Sequence, residues 1–351
     1  MKTKMNNKSR SSFISKEEKA LNLFADMMIE KIENIEKDWE KPWFTECSLA
    51  WPRNLSNREY NGMNALMLLL HCENKNYKTP VFLTYKKCFS LNFKDTVNGR
   101  VPAVDADGNK LPWVHVLKEE KSFPVFLTTF TVVGENGQKI KYEDYKNLSD
   151  DEKSSYKVYP ATTVYDVFNV EQTNIADARP ELYNKLLSEH VIDKTNNDEG
   201  LFVFPSFDSM IDNDKWLCPV KIKKGDAAFY SISKDEIVLP EKRQFKDGES
   251  FYSTAFHECI HSTGSAKHLD RFSPDAKFGS SSYAKEELIA ELGAALTAKK
   301  YGFLSCIKEE SASYLKSWLK VLKEDPSFIR TVLLDVKRAT SILTQHIDAL
   351  S

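Results

Sequence analysis

The chain has 351 residues, a formal net charge of −2, 41% hydrophobic and 28% charged residues. That length accommodates two domains with their own cores, and the near-neutral balance excludes a global basic field as the means of attracting nucleic acid. No run of about 18 apolar residues occurs, so no membrane partner is expected, and the six cysteines lack any C-x-x-C pair, which argues against a disulfide framework or a zinc ribbon.

Residues 1–15 are polar and basic without an apolar stretch, so they read as a disordered tail and not as a signal peptide. The expected location is cytoplasmic. Leu21, Phe24, Met28, Ile32 and Ile35 recur at helical spacing and predict a helix from Lys16 to Trp39, ended by Pro42. A Gly/Asn turn then leads into an apolar helix, Met63 to His71. VFLTYKKCFSLNF predicts a short strand or turn followed by a helix. From Val101 the pattern becomes strand-like, with an Asp-Gly turn in VPAVDADGNKLPWVHVL and β-branched alternation in FPVFLTTFTVVGENGQKI. Residues 142–156 form a charged insertion, and VYDVFNVEQTNI closes a first domain at about 16–175. Residues 176–200 read as a linker or linking helix, and a second domain occupies 201–351. Its first predicted elements are strands at Ala227–Ile232 and Glu236–Pro240. Ile237 and Val238 are candidates for an edge strand that would hold an extended peptide, although a hairpin that merely packs fits equally well. Two amphipathic helices, broken near Asp325-Pro326, end the chain.

The chemistry concentrates in His257-Glu258-Cys259-Ile260-His261. On a helix, positions i and i+4 share a face, so both imidazoles can aim at one point. Zinc accepts such nitrogens, and a catalytic zinc usually has three protein ligands and an open position. Glu258 stands where a carboxylate can take a proton from activated water. A metzincin ligand would fall at position 267, which is Lys267, with His268 one residue late. A gluzincin-like carboxylate from a second helix fits better. Glu286, Glu287 and Glu291 precede or lie in the apolar run LIAELGAALTA. Glu287 and Glu291 share a helix face. Glu287 is assigned to the metal and Glu291 to the outer nitrogen of a ligand histidine, with Glu286 or Glu291 as the alternative third ligand. Tyr283, one turn before Glu287, is a candidate to stabilise an oxyanion, or to pack. A bare H-E-x-x-H also arises by chance on surface helices. The apolar residues before this one and the buried-type E-x-x-x-E after it set it apart.

Between Lys41 and Arg100 there are nine Lys/Arg against four Asp/Glu, a net of +5, interleaved with aromatics. Cationic grooves with stacking platforms bind single strands, but an average core also holds such aromatics. The candidates are Arg53, Arg58, Lys86 and Lys87 for phosphate, and Trp43, Tyr60 and Tyr85 for stacking.

FYSTAFHECIHSTG, LDRF, YAKEELIAELGAAL and YLKSWLKVLKED, together with PRNLSNREYNGMNALML, FLTYKK and VFNVEQ, closely resemble the ArdC-like antirestriction proteins of plasmids, phages and conjugative elements. That family is related to the TraC primases in its N-terminal half. Cys259 departs from the more usual leucine, and 142–156 looks inserted. The resemblance spans nearly the whole chain. It implies an α+β architecture, with a mixed helix/antiparallel-sheet domain binding single-stranded DNA and a C-terminal zincin-like metallopeptidase domain. It also implies Zn2+ and a role in protecting mobile DNA from host restriction, and it leaves the peptidase substrate open, with a host protein as one candidate partner. The competing expectation is a non-catalytic single-stranded-DNA-binding protein in which zinc only staples the fold. A regulator that binds a partner without cutting it is a third.

Overall fold

The computed structural model describes residues 14–37, 43–44, 50–97, 99–188, 202–273, 280–303, 305, 314–325 and 328–350. Helix α1 (Lys16–Lys37) starts where the Ser15 hydroxyl accepts from the Glu18 amide at 3.1 Å, a side-chain cap on an otherwise orphan donor. It buries Phe24, Met28, Ile32 and Ile35. Its expected continuation to Trp39 and its stop at Pro42 lie outside the described residues, as do the tail 1–13 and residues 189–200. After β1 (Arg53–Asn54), α2 (Met63–Lys75) runs one turn past its expected end. It stops at Asn76, whose φ of 55° puts it in the left-handed region.

The N-terminal half is built on a five-stranded sheet in the order β1-β2-β7-β5-β6. Strand β2 (Val81–Leu83) leads through the Thr84 cap into α3 (Tyr85–Ser90), as the sequence predicts. A small hairpin, β3 (Phe93–Thr96) with β4 (Gly99–Pro102), follows. The strand expected beyond Val101 is not there. Residues 103–122 carry only isolated bridges, among them Val104 with Lys110 and Val116 with Thr173. Pro102 and Pro112 interrupt any ladder, and asparagine side chains replace it. Asn92 accepts from the Val114 amide at 2.7 Å and donates to the Val114 carbonyl at 2.9 Å. Asn174 accepts from the His115 amide at 2.8 Å and donates to the Trp113 carbonyl at 2.9 Å. Strands β5 (Phe123–Gly134) and β7 (Tyr156–Asn169) form a long antiparallel pair. Between them lie β6 (Lys139–Ile140) and two short helices, α4 (Tyr142–Lys146) and α5 (Asp150–Lys153). The charged 142–156 segment therefore caps the far end of the hairpin. Helices α6 (Ile175–Ala178) and α7 (Pro180–Ser188) occupy the first part of the expected linker. They pack on Val81, Leu83 and Val170.

The C-terminal half places α8 (Pro205–Asp212) before a three-stranded sheet of β8 (Val220–Ile222), β9 (Phe229–Ser231) and β10 (Glu236–Leu239). Strand β10 is central, parallel to β8 and antiparallel to β9. Ile237 and Val238 are therefore not on an edge. Both are buried, their amides and carbonyls spent within the sheet, and the edges are β8 and β9. Among the described residues four helices follow: α9 (Gly248–Ser262), α10 (Ser281–Lys300), α11 (Leu315–Glu324) and α12 (Phe328–Asp348). One continuous core joins the halves, from Phe24 and Met28 through Leu288 to Trp318 and Val336. Lys323–Glu33 at 2.7 Å and Arg330–Glu17 at 2.8 Å border it. Gly62, at φ +54°, lies so close to α12 that a Cβ would stand 2.6 Å from Lys337.

Candidate metal centre

Helix α9 begins at an Asp247 cap, whose side chain accepts from the Ser250 amide at 2.7 Å. Its buried face carries Phe251, Tyr252, Ala255, Phe256, Cys259 and Ile260. Tyr252 anchors the helix to α8, with its hydroxyl donating to Asp208 at 2.7 Å. Helix α10 begins at Ser280, which accepts from the Tyr283 amide at 3.1 Å, and is buried along most of its length. The two helices pack directly against each other, which brings the H-E-x-x-H turn opposite the glutamates.

The Nε2 atoms of His257 and His261 face each other at 3.0 Å. The Glu287 carboxylate lies 3.5 Å from His257 Nε2 and 3.7 Å from His261 Nε2. Among the described residues these three form the one His/Cys/Asp/Glu group able to share an ion, with ligand atoms within 4.8 Å of one another. Two imidazole nitrogens cannot meet at 3.0 Å with both lone pairs bare; a proton or a cation must intervene. Two nitrogens and one carboxylate are also a zinc-type donor set. The residues fit a divalent metal.

Behind this triad stand the other two glutamates. Glu291 Oε1 is 3.4 Å from His257 Nδ1, a contact without hydrogen-bond alignment. Glu286 Oε1 is 3.2 Å from His261 Nδ1. Glu286 is held in turn by Arg271, whose Nη2 and Nε donate to its two oxygens at 2.7 and 3.1 Å. Arg271 also donates to the Thr263 hydroxyl at 2.8 Å and the Ile260 carbonyl at 2.9 Å. Burial alone would lower the His261 pKa. The Glu286 hydrogen bond and the charges of Glu287, Glu286 and Glu258 overcome it and raise the value. Burial likewise pulls Glu287 up, but the His257 bond and both imidazoles hold it well below the usual carboxylate range. Tyr283 is hydrogen-bonded to Glu287, and burial with the Glu287 charge pushes its pKa up. Glu258 is buried beside His257, and its charge is felt by both His261 and Tyr283. Cys259 is buried, while His268 is exposed and outside the cluster.

The structure thus brings His257, Glu258, His261, Tyr283, Glu287 and Glu291 to one place. It adds Glu286 and Arg271 as a clamp on His261, a role the sequence reading did not assign. The available signal was the unexplained second carboxylate beside Glu287 and the arginine in LDRF. The nucleic-acid candidates separate. Arg58, Tyr85, Lys86 and Lys87 are exposed. Trp43 and Tyr60 are buried, Tyr60 edge-on against Phe82. Arg53 is also buried, donating to Asn57 at 2.5 Å and to the Leu186 carbonyl at 3.3 Å.

Residues 18–168 match the family described as the N-terminal domain of anti-restriction factor ArdC. Residues 210–332 match the zincin-like metallopeptidase family, a span that contains both α9 and α10. The chain is an ArdC-like protein. It is similar to ArdC from plasmid R388 in metal-free form, with 24% identity and a TM-score of 0.62 over 94% of this chain and 98% of that one. The Mn(II)-bound form of the same protein matches with 23% identity and a TM-score of 0.62, over 94% of this chain and 99% of that one. Those likenesses establish the fold. Two DNA primase TraC proteins of Escherichia coli are each 27% identical over 90% of this chain, which spans 26% and 19% of their lengths. An uncharacterized Sinorhizobium fredii protein, y4eC, is 35% identical over 30% of this chain and 34% of its own length. Among the described residues no helix is long and apolar enough to cross a membrane.

Proposed function

We propose that this chain is an antirestriction protein of a mobile element that binds single-stranded DNA through its N-terminal half and hydrolyses peptide bonds at a zinc held by His257, His261 and Glu287. The observation that carries the hydrolase reading is the convergence of both Nε2 atoms and the Glu287 carboxylate, with Glu258 buried alongside. The antirestriction and DNA parts are supported by the family description and by the similarity to DNA primases. The R388 protein that shares the fold has been seen with Mn(II) bound, which supports a divalent ion here.

A bound divalent ion would supply Lewis-acid activation of water and of a peptide carbonyl. The protein groups do the rest. Glu286 and Glu291, facing Nδ1 of His261 and His257, favour the tautomer with the proton on Nδ1 and leave Nε2 free to ligate. Glu258 accepts the proton of the attacking water and passes it to the leaving amine. Tyr283, kept protonated, gives its O–H to Glu287 in the resting site and would stabilise a developing oxyanion by turning that O–H away from Glu287.

The deciding experiment compares wild type with Glu258→Gln. Elemental analysis should find about one zinc per chain in both, and a peptidase assay on host-cell protein should show cleavage by wild type alone. Zinc lost in Glu258→Gln would make it a ligand and refute its role as base. A second reading, in which the metal only staples the fold, is favoured by one observation: His257, Glu287 and Glu291 are all nearly inaccessible. Full zinc with no cleavage would select it.

A further inference from the structure

Exposed aromatic rings that meet in a cluster invite explanation, because water contact leaves their burial energy unused. One such cluster lies on the N-terminal half, away from the metal centre. Phe89 on α3, Phe93 on β3 and Trp113 in the following segment meet with centroid separations of 5.3, 5.7 and 5.6 Å. Yet Phe89 is 45% and Trp113 52% exposed. Tyr85, one helical turn before Phe89 on the same face of α3, is 65% exposed. The Arg100 guanidinium lies 6.0 Å from the Phe93 ring centroid and is ion-paired with Asp95 at 2.9 Å, and Lys86 stands on the exposed side of α3 with no ion pair among the described residues.

The backbone that carries these rings is fixed by buried polar bonds. Asn92 is buried, and its amide donates to the carbonyls of Phe89 at 3.2 Å and Val114 at 2.9 Å. Its oxygen accepts from the Val114 amide at 2.7 Å. Arg179 ties the same segments again, donating to Leu91 O at 2.9 Å and Pro112 O at 2.8 Å. One network, buried at Asn92 and more open at Arg179, therefore ties together the segments that carry the three rings. A cluster that existed only to glue β3–β4 to α3 would gain by covering its rings. A preorganised, half-exposed aromatic surface beside cations is what unstacked bases require, since every base has a π-face and each linkage a negative phosphate.

Building on the single-stranded-DNA reading above, we propose that Phe89, Phe93 and Trp113, flanked by Tyr85, Lys86 and Arg100, form the platform on which the bases stack. Duplex DNA hides its base faces, so the platform selects single strands. Losing a ring from a stacked base weakens binding roughly five- to 150-fold.

The test uses the full chain and a fluorescent oligo-dT probe in an anisotropy titration, with thermal melting of every variant. Phe89→Leu/Trp113→Leu should weaken binding at least about tenfold while keeping the wild-type melting temperature, and Trp113→Phe should stay near wild type. Ultraviolet cross-linking of wild-type protein to oligo-dT, mapped by mass spectrometry, should place the adduct at Phe89, Phe93 or Trp113. It decides the matter if the double variant melts early. Wild type that binds oligo-dT, with an unchanged double variant or an adduct elsewhere, overturns this platform and leaves the DNA reading standing. Duplex that competes as well as single strand also overturns it. Wild type that ignores oligo-dT at low salt refutes the DNA reading itself.

Discussion

Gly293 of α10 lies against Ile260 of α9 so closely that a Cβ at position 293 would stand 2.9 Å from Ile260 Cγ1. Ile260 is the residue before His261, so this contact sets how near the glutamates of α10 come to the two imidazoles. Gly293→Ala gains about 1 kcal/mol in helix propensity but overpacks the contact at a cost of about 1–3 kcal/mol. The expected net result is a lower melting temperature together with weaker metal binding. Ile260→Ala in the same chain, which removes the Cγ1, Cδ1 and Cγ2 atoms that the added methyl would meet, should recover the metal affinity. A double-mutant cycle in urea, read alongside zinc affinity, checks it; additive effects would show that the contact does not couple the helices.

Arg271 and Glu286 should matter to the metal without touching it. Arg271→Leu removes the cation that balances a buried carboxylate and frees Glu286 to leave His261. Zinc affinity should fall about 10–100-fold, as happens when outer-shell partners are lost. Arg271→Lys should recover only part, because a lysine cannot make the two-pronged bond. Competition against a chromophoric chelator measures this, and unchanged affinity in Arg271→Leu would assign the clamp to loop packing alone.

Metal removal should cost stability. Two imidazoles and a buried carboxylate brought together by folding bind an ion only in the native state, so ligand linkage applies. With free zinc about 100-fold above its dissociation constant, the gain is about 2.7 kcal/mol. A chelator should therefore lower the melting temperature of wild type and leave His257→Ala/His261→Ala unchanged. Equal sensitivity of both proteins would show that the chelator acts elsewhere.

His71 should give the fold an acid limit. Its ring stacks on Phe123 at 4.3 Å, and its Nε2 is buried with no hydrogen-bond partner among the described residues. Burial, with the Lys75 charge, pushes its pKa down from 6.5 to about 4. Above the unfolded value, both states carry a neutral imidazole and nothing is lost. As pH falls through the window from there to the folded value, the unfolded chain takes up the proton first, and stability drops by up to about 3 kcal/mol. His71→Phe should flatten this part of the pH dependence of urea unfolding, measured in chelator to separate it from the metal centre. An unaltered slope would place the acid sensitivity elsewhere.

Local spacing determined a good deal of this protein by itself. The i, i+4 rule puts His257 and His261 on one face wherever α9 lies, and the apolar periodicities of α1, α2 and α10 mark helices without help from the rest of the chain. What spacing could not decide was anything settled between elements. Glu286, Glu287 and Glu291 all stand on α10, and only the rotation and closeness of that helix against α9 put Glu287 beside both Nε2 atoms and the others at the Nδ1 atoms. Ile237 and Val238 alternate like any strand, but their place in the middle of the sheet depends on β8, a partner whose parallel pairing leaves no local signature. The strand expected beyond Val101 dissolves because Asn92 and Asn174, one before it and one some sixty residues after it, take its hydrogen bonds. Arg53 reads as a free cation and is buried by α7, which lies more than a hundred residues away. Backbone preference and side-chain period act over one turn or one pleat. Partner choice is set by packing and hydrogen bonding between segments that meet only when the chain has folded.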